Sequence, residues 1–263
     1  MARFVTLYSG SSGNSTLVTE EADSVLVDMG CSCKRTLGAL YSLGLAASDL
    51  KGILVTHEHS DHVSGLMTFL KHYRVPVYGS YQTLCWLKNN GVVPDKATLI
   101  DVAAGDAFYI GGIEINAFPT SHDSVDCVGY RFSFKNGKKL ALATDLGFVS
   151  EEVLAALSGC ELVALESNYE DDMLLSGHYP YFLKSRIRSI SGHLSNSECA
   201  LCAAQLARSG TKRLVLMHLS QDNNLPEIAL TGVLSAIENC GIDPAEVCVT
   251  VAPRHTIGEE YEI

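Results

Sequence analysis

Short apolar runs, each closed by a glycine or a polar residue, recur along the chain, and stretches with helical spacing follow many of them. Residues 1–30 read as three short strands, with turns at Gly10-Ser11-Ser12-Gly13 and over 20–23. The spacing predicts a helix over about 33–43, a strand at 52–55 and a helix near 65–73. Strands are expected near 75–78, 98–101, 108–110, 113–118, 128–134, 139–143, 162–165 and 213–217. Helices are expected near 150–157, 180–190, 197–208 and 226–239. Strands followed by helices in both halves predict an α/β fold, a four-layer αββα sandwich in which two sheets are each faced by helices. No Pro- or Ser-rich linker and no low-complexity run interrupts the pattern, so residues 1–263 are expected to form one domain.

Composition narrows the class. A chain of 263 residues with 47% hydrophobic content buries a sizeable core and is not disordered. No apolar stretch reaches the ~18 residues of a spanning helix, so no membrane association is expected. The first eight residues read as a strand and not as a signal peptide. Nine cysteines without a paired framework fit a reducing, cytoplasmic setting. Cys31-x-Cys33 and Cys199-x-x-Cys202 suggest a redox or metal pair, but the second begins an Ala- and Leu-rich helix and reads as helix packing.

The chemistry concentrates in Thr56-His57-Glu58-His59-Ser60-Asp61-His62, directly after the apolar run 52–55. Three imidazoles and a carboxylate so close together build a poor core and a good site for divalent metal. His57 and His59, two apart on an extended exit, can point at one ion. Asp61 and His62, entering the next helix, can turn toward a second. Such donors suit zinc, and also manganese or iron. Glu58 is expected to point away. Further along, His122, Asp145 and His218 each follow an apolar run, so three more ligand-type residues close expected strands. Together with the first cluster they supply enough donors for a binuclear site.

This order resembles the metallo-β-lactamase fold superfamily over almost the whole chain. Asp28, in Val25-Leu26-Val27-Asp28-Met29-Gly30, matches its first motif, the 57–62 cluster its second, His122 its third, Asp145 its fourth and His218 its fifth. The segments at 9–15, Glu166-Ser167-Asn168, Tyr179-Pro180, Gly192-His193-Leu194-Ser195-Asn196 and 218–224 resemble the bacterial YycJ (WalJ) subfamily. That resemblance implies a two-metal nuclease with 5′-phosphate-dependent exonuclease activity on DNA ends. It implies that His57, His59 and His122 hold one ion, that Asp61, His62 and His218 hold the other, and that Asp145 bridges them. Asp28 would orient a ligand imidazole through its ring N–H. The subfamily's usual Glu-Ser-Asn-His-Asp departs here, where Tyr169-Glu170 follows Asn168. Two ions about 4 Å apart can bridge a water, lower its pKa and neutralise phosphate oxygens as charge develops.

Asp61 and His193 are the candidate catalytic residues. His193 precedes Ser195-Asn196-Ser197-Glu198, a capping-box pattern that starts a helix. Its segment resembles the Gly-His-Ser-Thr motif of ribonuclease Z, which implies a His assisting leaving-group departure. His72, His178 and His255 carry less chemistry, although His178 can border the cleft. The 9–15 loop can cradle phosphate through Ser11, Ser12, Asn14 and Ser15, in the manner of a backbone nest. Lys184, Arg186 and Arg188 form the one compact basic run on an expected helix, with Lys184 and Arg188 on one face as further phosphate contacts.

The formal charge of −11 and pI of about 5.2 disfavour contact with long duplex. Two divalent ions set against Asp61 and Asp145 leave the site electropositive, which fits engagement of a nucleic-acid end. The same features fit a small-molecule ester or cyclic phosphodiester hydrolase, the second function class for this fold. A non-enzymatic, metal-stabilised binding protein fits less well, because the ligand set leaves coordination positions open for water.

Overall fold

The apolar runs form strands close to where the pattern places them, in a computed structural model that describes residues 1–263. In the first half, β1 (Ala2–Tyr8), β2 (Ser15–Glu20) and β3 (Asp23–Val27) precede α1 (Cys33–Ser42). Then come β4 (Leu50–Leu54), α2 (Ser60–Val63), α3 (Leu66–His72), β5 (Val77–Gly79), α4 (Tyr81–Asn89) and β6 (Leu99–Asp101). The second half runs β7 (Ala107–Ile110), β8 (Ile113–Pro119), β9 (Val128–Ser133), β10 (Lys139–Ala143), α5 (Glu151–Leu157) and β11 (Leu162–Glu166). It continues with α6 (Asp171–Ser176), α7 (Tyr181–Ile187), α8 (Asn196–Arg208), β12 (Arg213–Met217), α9 (Pro226–Asn239), β13 (Cys248–Val251) and β14 (Glu260–Glu262).

Two seven-stranded sheets result, ordered β14-β1-β2-β3-β4-β5-β6 and β13-β12-β11-β10-β9-β8-β7. Each combines antiparallel strands with a parallel run, β3 to β6 in one and β10 to β13 in the other. The inner parallel strands β3, β4, β10, β11 and β12 are buried on both faces, which is why they read as near-continuous apolar runs. Along β10, Leu140 and Leu142 face the other sheet, while Ala141 and Ala143 face α5 and α8. β12 repeats this with Val215 and Met217 inside and Leu214 and Leu216 under the helices. On the far side, Leu40 of α1, Phe69 of α3 and Leu87 of α4 cover the first sheet. The layers are therefore αββα, as the pattern predicts.

Tyr130 of β9 joins the sheets where it matters for the site. It is fully buried, and its hydroxyl donates to the Val55 carbonyl at 2.6 Å, one residue before Thr56. Burying so large a side chain contributes about 1.5–3 kcal/mol, and its hydroxyl needs this partner. The Val128 amide donates to the Thr56 carbonyl at 3.1 Å, so the metal loop hangs from both sheets.

Several elements escape the sequence pattern. α2 and α6 are only four and six residues long, too short to show a period. α4 buries Thr83, Leu84 and Leu87 and is started by a Ser80 side-chain cap. β13 and β14 are edge strands of four and three residues, too short to stand out, and in β14 the flanking Glu260 and Glu262 are exposed. The helix expected over 180–190 stops at Ile187, because residues 188–192 turn to bring His193 back to the sheet edge.

Candidate metal centre

β3, β4, β10, β11 and β12 all end at one edge, and each delivers polar residues there. Asp28, Asp145 and His218 follow their strands with φ of 60°, 56° and 56°. That left-handed geometry costs an ordinary residue about 1–3 kcal/mol, and local bonds hold it. The Asp28 amide donates to the Leu54 carbonyl at 2.8 Å, and the His218 amide to Ser9 Oγ at 2.8 Å. The left-handed turn bends the chain sharply, so the side chain after each strand points across the strand ends instead of continuing outward.

The histidines gather in a chain of ring contacts. His57 lies 4.6 Å from His59, 4.1 Å from His62 and 5.1 Å from His122, centroid to centroid. His193 sits between His122 at 5.0 Å and His218 at 5.3 Å. Four groupings bring donor atoms close enough to share a cation: His57, His59 and His122; His57, His62 and Asp145; Asp61, His62 and His218; and Asp145, Glu166, His193 and His218. Asp145 lies between the halves, with Oδ2 3.2 Å from His62 Nε2 and Oδ1 3.8 Å from His122 Nε2. Two buried atoms, His57 Nε2 and His218 Nε2, have no hydrogen-bond partner. An unpaired buried nitrogen is costly, and these two belong to sets of imidazole and carboxylate donors. The residues therefore fit divalent metal.

Other bonds orient those donors. Asp28 Oδ2 accepts from His62 Nδ1 at 2.7 Å and from Thr56 Oγ1 at 2.8 Å, while Oδ1 accepts from the Thr56 amide at 2.9 Å. His62 is thus left with Nε2 facing Asp145 and Asp61. His122 Nδ1 donates to the Gly192 carbonyl at 2.8 Å. Asn14 Nδ2 donates to Asp61 Oδ2 at 3.1 Å, and a β-carbon on Gly30 would lie 1.6 Å from the Asp61 carbonyl oxygen. Only glycine permits that approach, which lets the 28–30 turn pass directly beneath α2.

Glu166, the last residue of β11, is the functional residue that the sequence reading did not single out. It is fully buried, and its Oε1 accepts from both His193 Nδ1 and His218 Nδ1, each at 2.8 Å. Its Oε2 accepts from the amides of Leu146 and Leu194 at 2.9 and 3.2 Å. These bonds explain why Glu166, His193, His218 and Asp145 also cluster tightly. The signal was present: Glu166 closes an apolar run, as Asp145 and His218 do.

Burial pushes His57 well below its ordinary pKa, with the neighbouring His62 adding to the effect. Burial also opposes charge on His62, yet Asp145, Asp28 and Asp61 outweigh it and raise the group well above its ordinary value. The same contest, with Asp145, Asp61 and Glu166 winning, pushes His218 up to about 10. Burial opposes ionisation of Asp145, but His218 and His62 hold it well below the usual carboxylate range. The field of the cluster thus draws positive charge. Four carboxylates, Asp28, Asp61, Asp145 and Glu166, converge here. The expectation of an electropositive centre counted only Asp61 and Asp145 of these four.

The expected phosphate contacts divide. Ser11 and Ser12 are exposed at the tip of the 9–15 loop. Asn14 and Ser15 are buried and bonded inward, Asn14 to Asp61 and Ser15 Oγ to the Asp28 carbonyl at 2.9 Å. Lys184 Nζ donates to the carbonyls of Leu175 and Gly177, both at 2.7 Å, and Arg188 pairs with Asp171 at 3.5 Å. Arg186 pairs with Asp123. The basic run on α7 is therefore bound within its own hairpin and to the His122 loop. Glu58 braces that loop from the other side, its Oε1 accepting from the Val125 amide at 2.9 Å. His72, His178 and His255 are exposed and stand outside the cluster. Cys199 and Cys202 are buried in α8 packing, and Tyr169, in the departing position, is buried with its carbonyl accepting from the Asn196 amide at 2.8 Å.

Two sheets with a His/Asp cluster along their shared edge define a metal-dependent hydrolase of the metallo-β-lactamase fold, and residues 24–219 match the family described as the Beta-lactamase superfamily domain, to which the chain belongs. Among its relatives, the chain is 38% identical to exodeoxyribonuclease YycJ of Bacillus anthracis over 244 residues, 92% of each chain. It is 34% identical to exodeoxyribonuclease WalJ of Streptococcus pneumoniae, over 86% of this chain and 85% of that one. The fold is also that of Zn2+-bound PqqB from Methylobacterium extorquens, with a TM-score of 0.76 at 18% identity over 99% of this chain and 100% of the other. No helix is long and apolar enough to cross a membrane.

Glu166→Gln tests the orienting role of this carboxylate. The amide nitrogen cannot accept from Leu146 and Leu194, so the side chain must rotate or leave the two histidines. Metal affinity and turnover are expected to fall roughly 10- to 100-fold, as for other partners of ligand histidines. Metal titration alongside initial rates checks this, and unchanged values in both would remove the role.

Proposed function

We propose that this chain is a two-metal nuclease that hydrolyses the terminal phosphodiester of 5′-phosphorylated DNA. In this reading His57, His59 and His122 hold one ion, Asp61, His62 and His218 hold the second, and Asp145 serves both. Bound zinc or manganese, with iron as a further candidate, would activate water at neutral pH and offset charge on the phosphate oxygens. Asp28 fixes the His62 ring, and Asp61, held by Asn14, presents its carboxylate beside the second set of donors.

The observation that carries the reading is the pairing of His193 with Glu166. His193 is a part-exposed imidazole of the chain of rings, with 19% of its side chain accessible, and its Nδ1 is fixed by the buried carboxylate. With Nδ1 held by the carboxylate, the other ring nitrogen is the one that would pass a proton to a departing 3′-oxygen. Nuclease action on DNA is supported by the similarity to two exodeoxyribonucleases, which extends over most of this chain. The net charge of −11 favours short, terminal engagement, and also suits a small phosphodiester, which is the second reading.

The test is a panel assay on metal-reconstituted protein with 5′-phosphorylated and 5′-hydroxyl DNA and RNA, and a chromogenic phosphodiester alongside. Preferential degradation of 5′-phosphorylated DNA is the expected result. Turnover of the small ester without cleavage of any nucleic acid would replace this reading with the second.

A further inference from the structure

We propose that Arg254, with the exposed turn of the 9–14 loop, grips the terminal phosphate of the substrate and so determines the choice of DNA end. This rests on the nuclease reading above and names the subsite that reading lacks. In that reading the cluster engages the scissile phosphodiester, so a grip on the terminal phosphate calls for a further cation beside it. Lys184, Arg186 and Arg188 are engaged elsewhere, as shown.

Arg254 is placed for the task. Its Nη2 donates to the Leu219 carbonyl at 2.9 Å, and Leu219 follows His218. Its stem lies against Gly10: a β-carbon there would come within 3.2 Å of both Arg254 Cγ and Nε, and Gly10 has a φ of 146°. The same loop is wired to two candidate ligands, through Ser9 Oγ to the His218 amide and through Asn14 to Asp61. The Gly10 amide donates to Asn14 Oδ1 at 2.8 Å, and the Gly13 amide to the Gly10 carbonyl at 2.9 Å, so the turn is closed and Ser11 and Ser12 stand out at its tip.

The charge of Arg254 is also uncompensated. Its Nε is buried without a partner, and unlike Arg186 and Arg188 it pairs with no carboxylate. A half-buried guanidinium in that state favours an anion at its outer edge, and a phosphate can take two parallel N–H bonds from the fork. Behind it, Arg35 stacks 4.2 Å above the Tyr8 ring and its Nη2 reaches the His255 carbonyl at 3.5 Å. That contact steadies the segment that carries Arg254. A 5′-phosphate one nucleotide from the scissile phosphodiester would meet Arg254 and the serine hydroxyls, whereas a 5′-hydroxyl end offers them nothing to bind.

The experiment compares wild type, Arg254→Gln and Arg254→Lys, each as full-length metal-reconstituted protein, on one oligonucleotide carrying either a 5′-phosphate or a 5′-hydroxyl. The ratio of kcat/KM for the two ends is expected to fall roughly 10- to 100-fold in Arg254→Gln, mainly through KM for the phosphorylated end. Arg254→Lys, which keeps the charge and most of the stem but not the fork, should fall between, and it carries the test if the glutamine variant does not fold. Metal content by elemental analysis separates this from damage to the cluster. A wild-type preference that survives in both variants overturns the subsite alone. A wild type that cleaves no DNA while hydrolysing a small phosphodiester overturns the nuclease reading, and the subsite with it.

Discussion

Asp145→Ala is expected to lose bound divalent metal and hydrolytic activity together, with turnover down by roughly 10³-fold or more. Asp145 is the carboxylate that reaches both halves of the cluster: Oδ2 is 3.2 Å from His62 Nε2, and Oδ1 is 3.4 Å from His218 Nδ1 and 3.8 Å from His122 Nε2. Alanine would leave those imidazoles without their shared counter-charge. His57→Ala should act in the same direction through the other half, because it removes a buried, unpaired Nε2 from the set with His59 and His122. Elemental analysis and rates on the same preparations check both variants. Full metal occupancy with full activity in either would break the ligand assignment.

The second large effect separates chemistry from ligation. In His193→Ala the metal content and fold should persist, because Glu166 Oε1 keeps its bond to His218 and Oε2 keeps its two backbone donors. Turnover on DNA should drop roughly 10²- to 10⁴-fold, the range for a lost general acid. Nitrophenolate leaves without a proton, so the loss on a nitrophenyl phosphodiester should be much smaller. Equal losses on the two substrates would assign His193 to phosphate binding instead.

Both expectations draw on residues visible in the primary structure, and the reason is local. A polar residue of the cluster that follows a doubly buried strand is marked by the apolar run before it, and Asp28, His57, Asp145 and His218 all carry that mark. The fold class was legible for the same reason. In β10 and β12 each residue faces either the opposing sheet or a helix layer, so the strand reads as an unbroken apolar segment between polar ends. α4 and the edge strands β13 and β14 lacked this contrast. Their residues meet solvent on one side, and their pattern fades accordingly.

Charge balance and contact between distant segments were not legible in this way. Lys184 and Arg188 looked like free cations on a helix face, but the α6–α7 hairpin closes on them with its own carbonyls and with Asp171. Asn14 looked like a loop residue open to substrate, but the 28–30 turn and α2 enclose it against Asp61 and His62.

The amino-acid sequence by itself determined the layers, the strand-end edge and the kinds of donor that line it, because burial periodicity and residue chemistry act within a few residues. Only the tertiary structure decided that one buried glutamate serves both His193 and His218, and that Arg254 closes on Gly10 from the opposite end of the chain. The first follows from the register of β11 beside β12, which sets Glu166 next to the His218 turn, and the second from how the two sheets dock; no local pattern encodes which side chains then share an oxygen or a contact.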